Sequence, residues 1–104
     1  MFDRAAAQSQ IASIIESNGA SFSFGELDFK ALDTAVSDQD REEYHFISFT
    51  GEEVKLVAHR SALEAAPGQG DIIGGDSLQY RVLNNPRAHS ATGEIVFICE
   101  PFEL

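Results

Sequence analysis

Cationic side chains are scarce in this sequence. Seven lysines and arginines stand against seventeen aspartates and glutamates among 104 residues, which gives a formal net charge of -10. Affinity for nucleic acids depends on neutralising phosphates with lysine and arginine, so this imbalance argues against a protein that grips DNA or RNA directly. We expect DNA to pass near this protein without being specifically bound.

Cysteine and long apolar runs are also nearly absent. Cys99 is the only cysteine, so no disulfide can form within the chain, and a secreted scaffold stapled by disulfides is excluded. No stretch approaches the run of about 20 apolar residues that a membrane-spanning helix needs. The N-terminal residues MFDRAAAQSQIASII contain an early acid instead of a signal-peptide core. We therefore expect a soluble protein, made in the cytoplasm, with no membrane partner.

Enough apolar material is present for one hydrophobic core. Hydrophobic residues make up 43% of the chain and include eight phenylalanines, a composition far from that of disordered proteins. A chain of this length lies near the commonest domain size. No segment repeats at a fixed period, and no proline-, glycine- or serine-rich linker divides the chain. We predict one domain, residues 1–104.

The first third of the sequence predicts a helix followed by a β-hairpin. Apolar residues recur at helical spacing between Asp3 and Asn18, and Gly19 provides a stop. The period then changes to two, with Gly25-Glu26 at the spacing of a two-residue hairpin turn. The helix stripe consists of Ala6, Ala7, Ile11, Ile14 and Ile15, and the strands carry Phe22, Phe24, Leu27, Phe29 and Ala31.

The rest of the chain predicts short strands. The runs EYHFISF and EVKLVAH, separated by Thr50-Gly51-Glu52, have the pattern of a second hairpin. A short helical turn is expected at Ser61 to Ala65, where proline and glycine follow. Three further strands are predicted at Asp71 to Ile73, Leu78 to Leu83 and Glu94 to Cys99, with a tight turn at Gly74-Gly75-Asp76 and a polar connection from Asn84 to Gly93.

A long acidic segment interrupts this pattern. Residues 33–43, within the stretch LDTAVSDQDREEYH, contain five carboxylates and one arginine and show no apolar period. We predict a loop, and one that is mobile in a free monomer because it buries too little apolar surface to offset its ordering entropy. The expected fold is α+β: a small β-barrel or sandwich of about seven short antiparallel strands, with one N-terminal helix and this long acidic loop.

The sequence offers no convincing catalytic, cofactor or metal site. His45, His59, His89 and Cys99 lack the close spacing of zinc ligands and are interpreted as surface or edge-strand histidines and a core cysteine. Cys99 alternates with two large apolar residues of its strand, so we expect a buried, unreactive thiol with a raised pKa.

A glycine-rich stretch and several adjacent carboxylates also fail to make a binding or catalytic site. The glycines of PGQGDIIGG miss the spacing of a phosphate-binding loop, and their segment leads into a strand instead of a helix. Adjacent carboxylates such as Glu42 with Glu43 lie in an exposed segment, where nothing separates their pKa values. We predict no enzyme activity, no cofactor and no metal.

The order of these parts resembles the head-to-tail joining proteins of long-tailed bacteriophages, also called head completion or stopper proteins. Members of that group tend to have a Gly-Asp entering a strand, a tight turn, a Tyr- or Trp-led strand ending in Val, a polar loop and a final β-rich strand. The matching residues here are Gly70-Asp71, Gly74 to Ser77, Tyr80-Arg81-Val82, Pro86 to Gly93 and Ile95 to Ile98.

The resemblance implies a structural virion protein at the head-tail interface. It implies a homo-oligomeric ring, a hexamer or larger, between a portal-side connector protein and a tail protein, with the loop of residues 33–44 lining or plugging the channel. The N-terminal helix would then contact the portal side. The channel and assembly residues on this reading are Asp38, Asp40, Arg41, Glu42, Glu43 and Tyr44.

Two alternatives stay open at the level of sequence. A tail terminator or minor tail protein of the same virion would use a similar small β-rich domain. A protein of another class, an acidic inhibitor that mimics DNA, would also suit a net charge of -10, and it would bind a basic nuclease groove in a salt-sensitive way.

Overall fold

Six strands close into an antiparallel barrel, with two helices outside the sheet. The computed structural model describes residues 4–63 and 66–103. The elements in chain order are α1 Arg4–Asn18, β1 Ala20–Phe24, β2 Leu27–Ala35, α2 Asp38–Glu43, β3 Val54–His59, β4 Ile72–Gly74, β5 Gln79–Val82 and β6 Glu94–Phe102. The predicted α+β barrel is confirmed, but it has six strands in the described residues, not about seven.

Chain neighbours form most of the sheet, and the last strand completes it. The strand order is β1-β2-β3-β6-β5-β4, and β4 returns to β1 through a single residue pair, Ser23 with Gly74. The predicted first hairpin is confirmed, because Phe24 pairs with Leu27 across the Gly25-Glu26 turn. The long strand β6 pairs with β3 along one side and with β5 along the other.

The second predicted hairpin is wrong. Val54 at the start of β3 pairs with Ala35 at the end of β2, and the opposite edge of β3 is taken by β6. Both edges of β3 are therefore occupied, and the run EYHFISF has no edge left on which to form a strand. Its first residue, Glu43, ends α2, and residues 44–49 form turns and irregular chain.

The predicted acidic loop is also wrong in its secondary structure. Asp33 and Thr34 belong to β2, where they pair with Leu56 and Lys55. The residues from Asp38 to Glu43 form helix α2. Asp33 and Thr34 point to opposite faces of β2, and both are exposed near the end of the strand, so neither position needs an apolar residue.

The last third agrees with the predicted strands. Strands β4, β5 and β6 lie within two or three residues of the predicted bounds, and β4 and β5 are joined by the tight turn around Gly75. In the polar connection that follows, Ala88 forms an isolated bridge with Ile95. Arg60 to Ala62 form a turn, while residues 64–65 of the predicted helical turn lie outside the described residues.

The barrel interior holds the core. Phe97, Leu56, Ile73 and Val82 are fully buried, in keeping with the inward face of a closed barrel. Cys99 is buried as predicted. Burial, helped by the negative charge of Asp33, raises the pKa of its thiol to about 12, so the thiolate is not formed at neutral pH.

Helix α1 packs against β2, β3 and β6. Ile15 is its buried anchor, and Ile11 is half-buried, but Ile14 is 47% exposed and Ala6 is also exposed. The side chain of Ala7 lies outside the described set. The predicted apolar stripe is therefore only partly buried. At the end of the helix, the Gly19 N–H donates to the Ile15 carbonyl oxygen at 2.7 Å, and a Cβ on Gly19 would lie 2.5 Å from that same oxygen.

Candidate interaction surface

The segment with the predicted channel residues is a projection from the barrel. Residues 36–53, here called the acidic arm, leave the sheet at Ala35 and return at Val54, and these two residues are paired partners. Within the described residues, no Cα atom of α2 lies within 8 Å of a Cα atom in another helix or strand, sequence neighbours excepted. Helix α2 is therefore held to the barrel by side chains instead of by close backbone packing.

A capping box starts helix α2. The Ser37 hydroxyl accepts from the Asp40 backbone N–H at 3.1 Å, and the Asp40 carboxylate accepts from the Ser37 backbone N–H at 2.9 Å. These reciprocal bonds satisfy donors that a short helix leaves unpaired. Acids at Asp38 and Asp40 in the first turn and Arg41 in the last turn also suit the helix dipole. A helix of only six residues is not stable in isolation, so these local hydrogen bonds help to stabilise α2.

Asp40 also ties the arm to the barrel. Its second carboxylate oxygen, Oδ1, accepts from Lys55 Nζ of β3 at 3.0 Å. Burial raises the pKa of Asp40, but the hydrogen bonds from Ser37 and the charge and hydrogen bond of Lys55 outweigh it, so the pKa lies below its ordinary value. Since Asp40 is only 6% exposed, it faces inward. The sequence interpretation of Asp40 as one of the charges lining an opening does not suit this position.

A second buried carboxylate fixes the return of the arm. Glu53 accepts from the backbone N–H groups of Thr50 and Gly51 at 3.0 Å, and from the Thr50 hydroxyl at 3.0 Å. Burial raises the pKa of Glu53, while these backbone and hydroxyl donors lower it, and the net pKa is below its ordinary value. Glu53 therefore fixes the turn that ends the arm, while Asp40 joins α2 to β3.

The outer surface of the arm carries the other predicted site residues. Asp38, Arg41, Glu42 and Glu43 are exposed, and Tyr44 is half-buried. Burial, with the negative charges of Glu43 and Asp40, raises the pKa of Tyr44.

An aromatic pair follows directly. The ring of Tyr44 meets that of Phe46 edge to face, with centroids 6.2 Å apart, and Phe46 is 61% exposed. The arm therefore presents carboxylates next to an exposed aromatic ring.

A groove separates the end of α2 from the barrel. It has a volume of about 400 Å³ and is lined by Glu43 and Tyr44 on the arm, by residues 84–89 opposite, and by Glu94 and Val96 of β6. Phe46 and residues 84–89 were not among the predicted site residues. No sequence signal links Tyr44 to a loop some forty positions later in the chain, because only the closure of the barrel by β6 brings them together.

The histidines were interpreted as surface or edge-strand residues, and His59 departs from this. It lies in β3, which is paired on both sides, and it is buried. Its Nε2 lies 2.9 Å from the Thr92 carbonyl oxygen, so Nε2 donates, and Nδ1 then accepts from the Ser61 hydroxyl at 2.8 Å. Both ring nitrogens are satisfied, and the ring braces the turn before β6. His45 and His89 are exposed.

In the described ranges, no three His, Cys, Asp or Glu side chains are grouped so as to hold a metal ion. No helix in the part of the chain that the structure describes has the length and apolar character to cross a membrane. Comparison with models of protein families, with curated proteins and with solved structures finds no match.

Proposed function

We propose that this chain is a structural virion protein that joins a phage head to its tail as a ring, with the acidic arm at the DNA channel. The observation that carries the proposal is a closed barrel with a carboxylate-rich arm that leaves the sheet at Ala35, returns at Val54 and is tied to β3 by the Asp40–Lys55 ion pair. It adds to the resemblance in the order of sequence elements. A portal-side connector and a tail protein are the neighbours that this role requires.

The proposal assigns separate roles to the arm residues. Asp38, Glu42 and Glu43 are exposed, and repetition around a ring would surround the channel with negative charge that repels phosphates, so that DNA slides without being held. Asp40 positions the arm through Lys55. Arg41 and Tyr44 contribute to contacts between neighbouring subunits.

The first experiment measures the binding of the purified protein to DNA-filled, tailless capsids by mass photometry. We expect each capsid to bind the number of subunits that forms one ring, and hydrogen exchange in residues 33–44 to slow on binding. If the protein stays monomeric and does not bind the capsids, the connector proposal is wrong. Binding to a basic nuclease instead would favour the DNA-mimic alternative.

A charge-neutralised arm tests the channel role separately. The triple variant D38N/E42Q/E43Q removes the three exposed arm carboxylates, and E26Q/D28N/D76N makes the same charge change at exposed positions outside the arm. We expect both variants to add to capsids, and only the arm variant to alter DNA retention or release. Equal behaviour of the two variants would show that the arm charges do not act at the channel.

A further inference from the structure

We propose that the groove beside the acidic arm receives an extended, arginine- or lysine-containing segment of another protein. This inference goes beyond the connector role, since it concerns a docking site that any basic partner could use. It stands on the groove itself, on two carboxylates that line it, and on the adjoining pair of half-buried Tyr44 and exposed Phe46.

The groove is bordered by acids that the chain itself does not neutralise. Glu43 of the arm and Glu94 of β6 both line it. The ion pairs found among the described residues are Lys55 with Asp40 and Arg81 with Glu100, so neither groove carboxylate has a cationic partner within 4 Å. Arg87 also lines the groove, but it forms no ion pair with either acid. A cation entering between Glu43 and Glu94 would therefore meet two available carboxylates.

Aromatic rings next to these acids favour a guanidinium or ammonium group. Tyr44 lines the groove, and Phe46 lies beside Tyr44 with most of its surface exposed. Cations bind over aromatic faces, and arginine does so most often. The chain uses this combination internally, because the Arg81 guanidinium pairs with Glu100 at 2.8 Å and lies 5.0 Å from the centre of the Phe102 ring. A partner's arginine in the groove would find the same two kinds of contact.

The charge of the chain indicates that the occupant is a different protein. With seven cations against seventeen acids, a second copy would bring more negative charge to an already acidic surface, and like charges at an interface are unfavourable. A basic segment, by contrast, is drawn to it. Apart from Arg41 and Tyr44 of the arm, the contacts between copies in a ring would then use faces of the barrel away from the groove.

The test uses a short fluorescein-labelled peptide in which arginine alternates with leucine, and the matching glutamate peptide as its control. Fluorescence anisotropy gives the affinity, and NMR amide shifts give the location. We expect saturable binding of the arginine peptide alone, with shifts confined to residues 43–46, 84–89 and 94–96. Absence of saturable binding, equal binding of the glutamate peptide, or shifts spread over the whole barrel would overturn the proposal.

Single substitutions that remove either a negative or a positive charge from the groove test the role of charge. E43Q and E94Q each remove an acid from the groove and should weaken binding about threefold, whereas R87Q removes the opposing cation and should tighten binding by a similar factor. E26Q changes the same charge at the exposed turn at the far end of β2 and should leave the affinity unchanged. Equal weakening by E26Q and E43Q would show non-specific attraction to an acidic surface.

The exposed ring is tested by F46A, with L27A as the matched control on another exposed apolar side chain. We expect F46A to weaken the arginine peptide, and L27A to have no effect. Sedimentation of the protein alone tests whether the occupant of the groove is a second copy of this chain. If the wild type self-associates and F46A abolishes this while L27A does not, the groove is an interface between copies and the proposal of a basic partner is wrong.

Discussion

Replacing Asp40 with asparagine should release the acidic arm while leaving the barrel folded. Asp40 accepts from the Ser37 N–H and hydroxyl at 2.9 Å each, and from Lys55 Nζ at 3.0 Å. Asparagine keeps one acceptor oxygen, but its NH₂ group must face one of these donors, and the ion pair is lost. Weakening the carboxylate half of the capping box and losing the charge-assisted hydrogen bond from Lys55 costs about 2 kcal/mol, which corresponds to about a 30-fold increase in opening of the arm.

The assay is native-state hydrogen exchange by NMR. The Arg41 N–H donates to the Ser37 carbonyl at 3.1 Å and the Tyr44 N–H donates to the Asp40 carbonyl at 2.9 Å, so both amides report the opening of α2. Because α2 has no close backbone neighbour in the described sheet, we expect it to open locally. The Leu83 N–H, which donates to Ile98 across the barrel, should keep its protection.

A matched control isolates the hydrogen bonds from the helix dipole. Asp38 is exposed at the first helical position, so D38N removes an equal charge with only the dipole contribution, less than about fivefold in exchange. The reasoning is refuted if D40N leaves exchange at Arg41 and Tyr44 unchanged, or if D38N accelerates it as much as D40N does.

Two further predictions follow from buried groups. The pKa of Glu53 is lowered from its ordinary value of 4.5, so the stabilisation from its hydrogen bonds is complete above that value and is lost as the pH falls through the folded-state pKa. In urea unfolding, the free energy of unfolding of the wild type should therefore fall more steeply in acid than that of E53Q. Identical pH profiles of the two proteins would contradict this. Gly93 has a φ of 76°, and an added Cβ would lie 2.5 Å from Nε2 of His59, so G93A should cost about 3 kcal/mol in thermal or urea unfolding. In contrast, G25A, with a φ of 62° and no atom within 4 Å of the added Cβ, should cost only about 1 kcal/mol, and equal losses would show that the His59 contact is unimportant.

The acidic arm shows where sequence reasoning stopped short. The tetrad SDQD at residues 37–40 resembles the capping-box pattern and was a usable signal for the start of α2. No comparable signal marks Lys55 as the partner of Asp40, since the two are fifteen positions apart and belong to different elements. Exposed Phe46 was assigned to a strand because aromatic and β-branched neighbours favour strands, and that preference holds only where an edge is available.

Local patterns in the sequence determined the N-terminal helix, the hairpin around Gly25, the buried character of Cys99, the strands of the last third and the α+β class. These follow from periodicity and turn chemistry, which act over a few residues. Tertiary structure alone decided the partners of β3, the number of strands and the groove between the arm and residues 84–89. These depend on which strand occupies which edge once β6 closes the barrel, a long-range competition that no short stretch of sequence encodes.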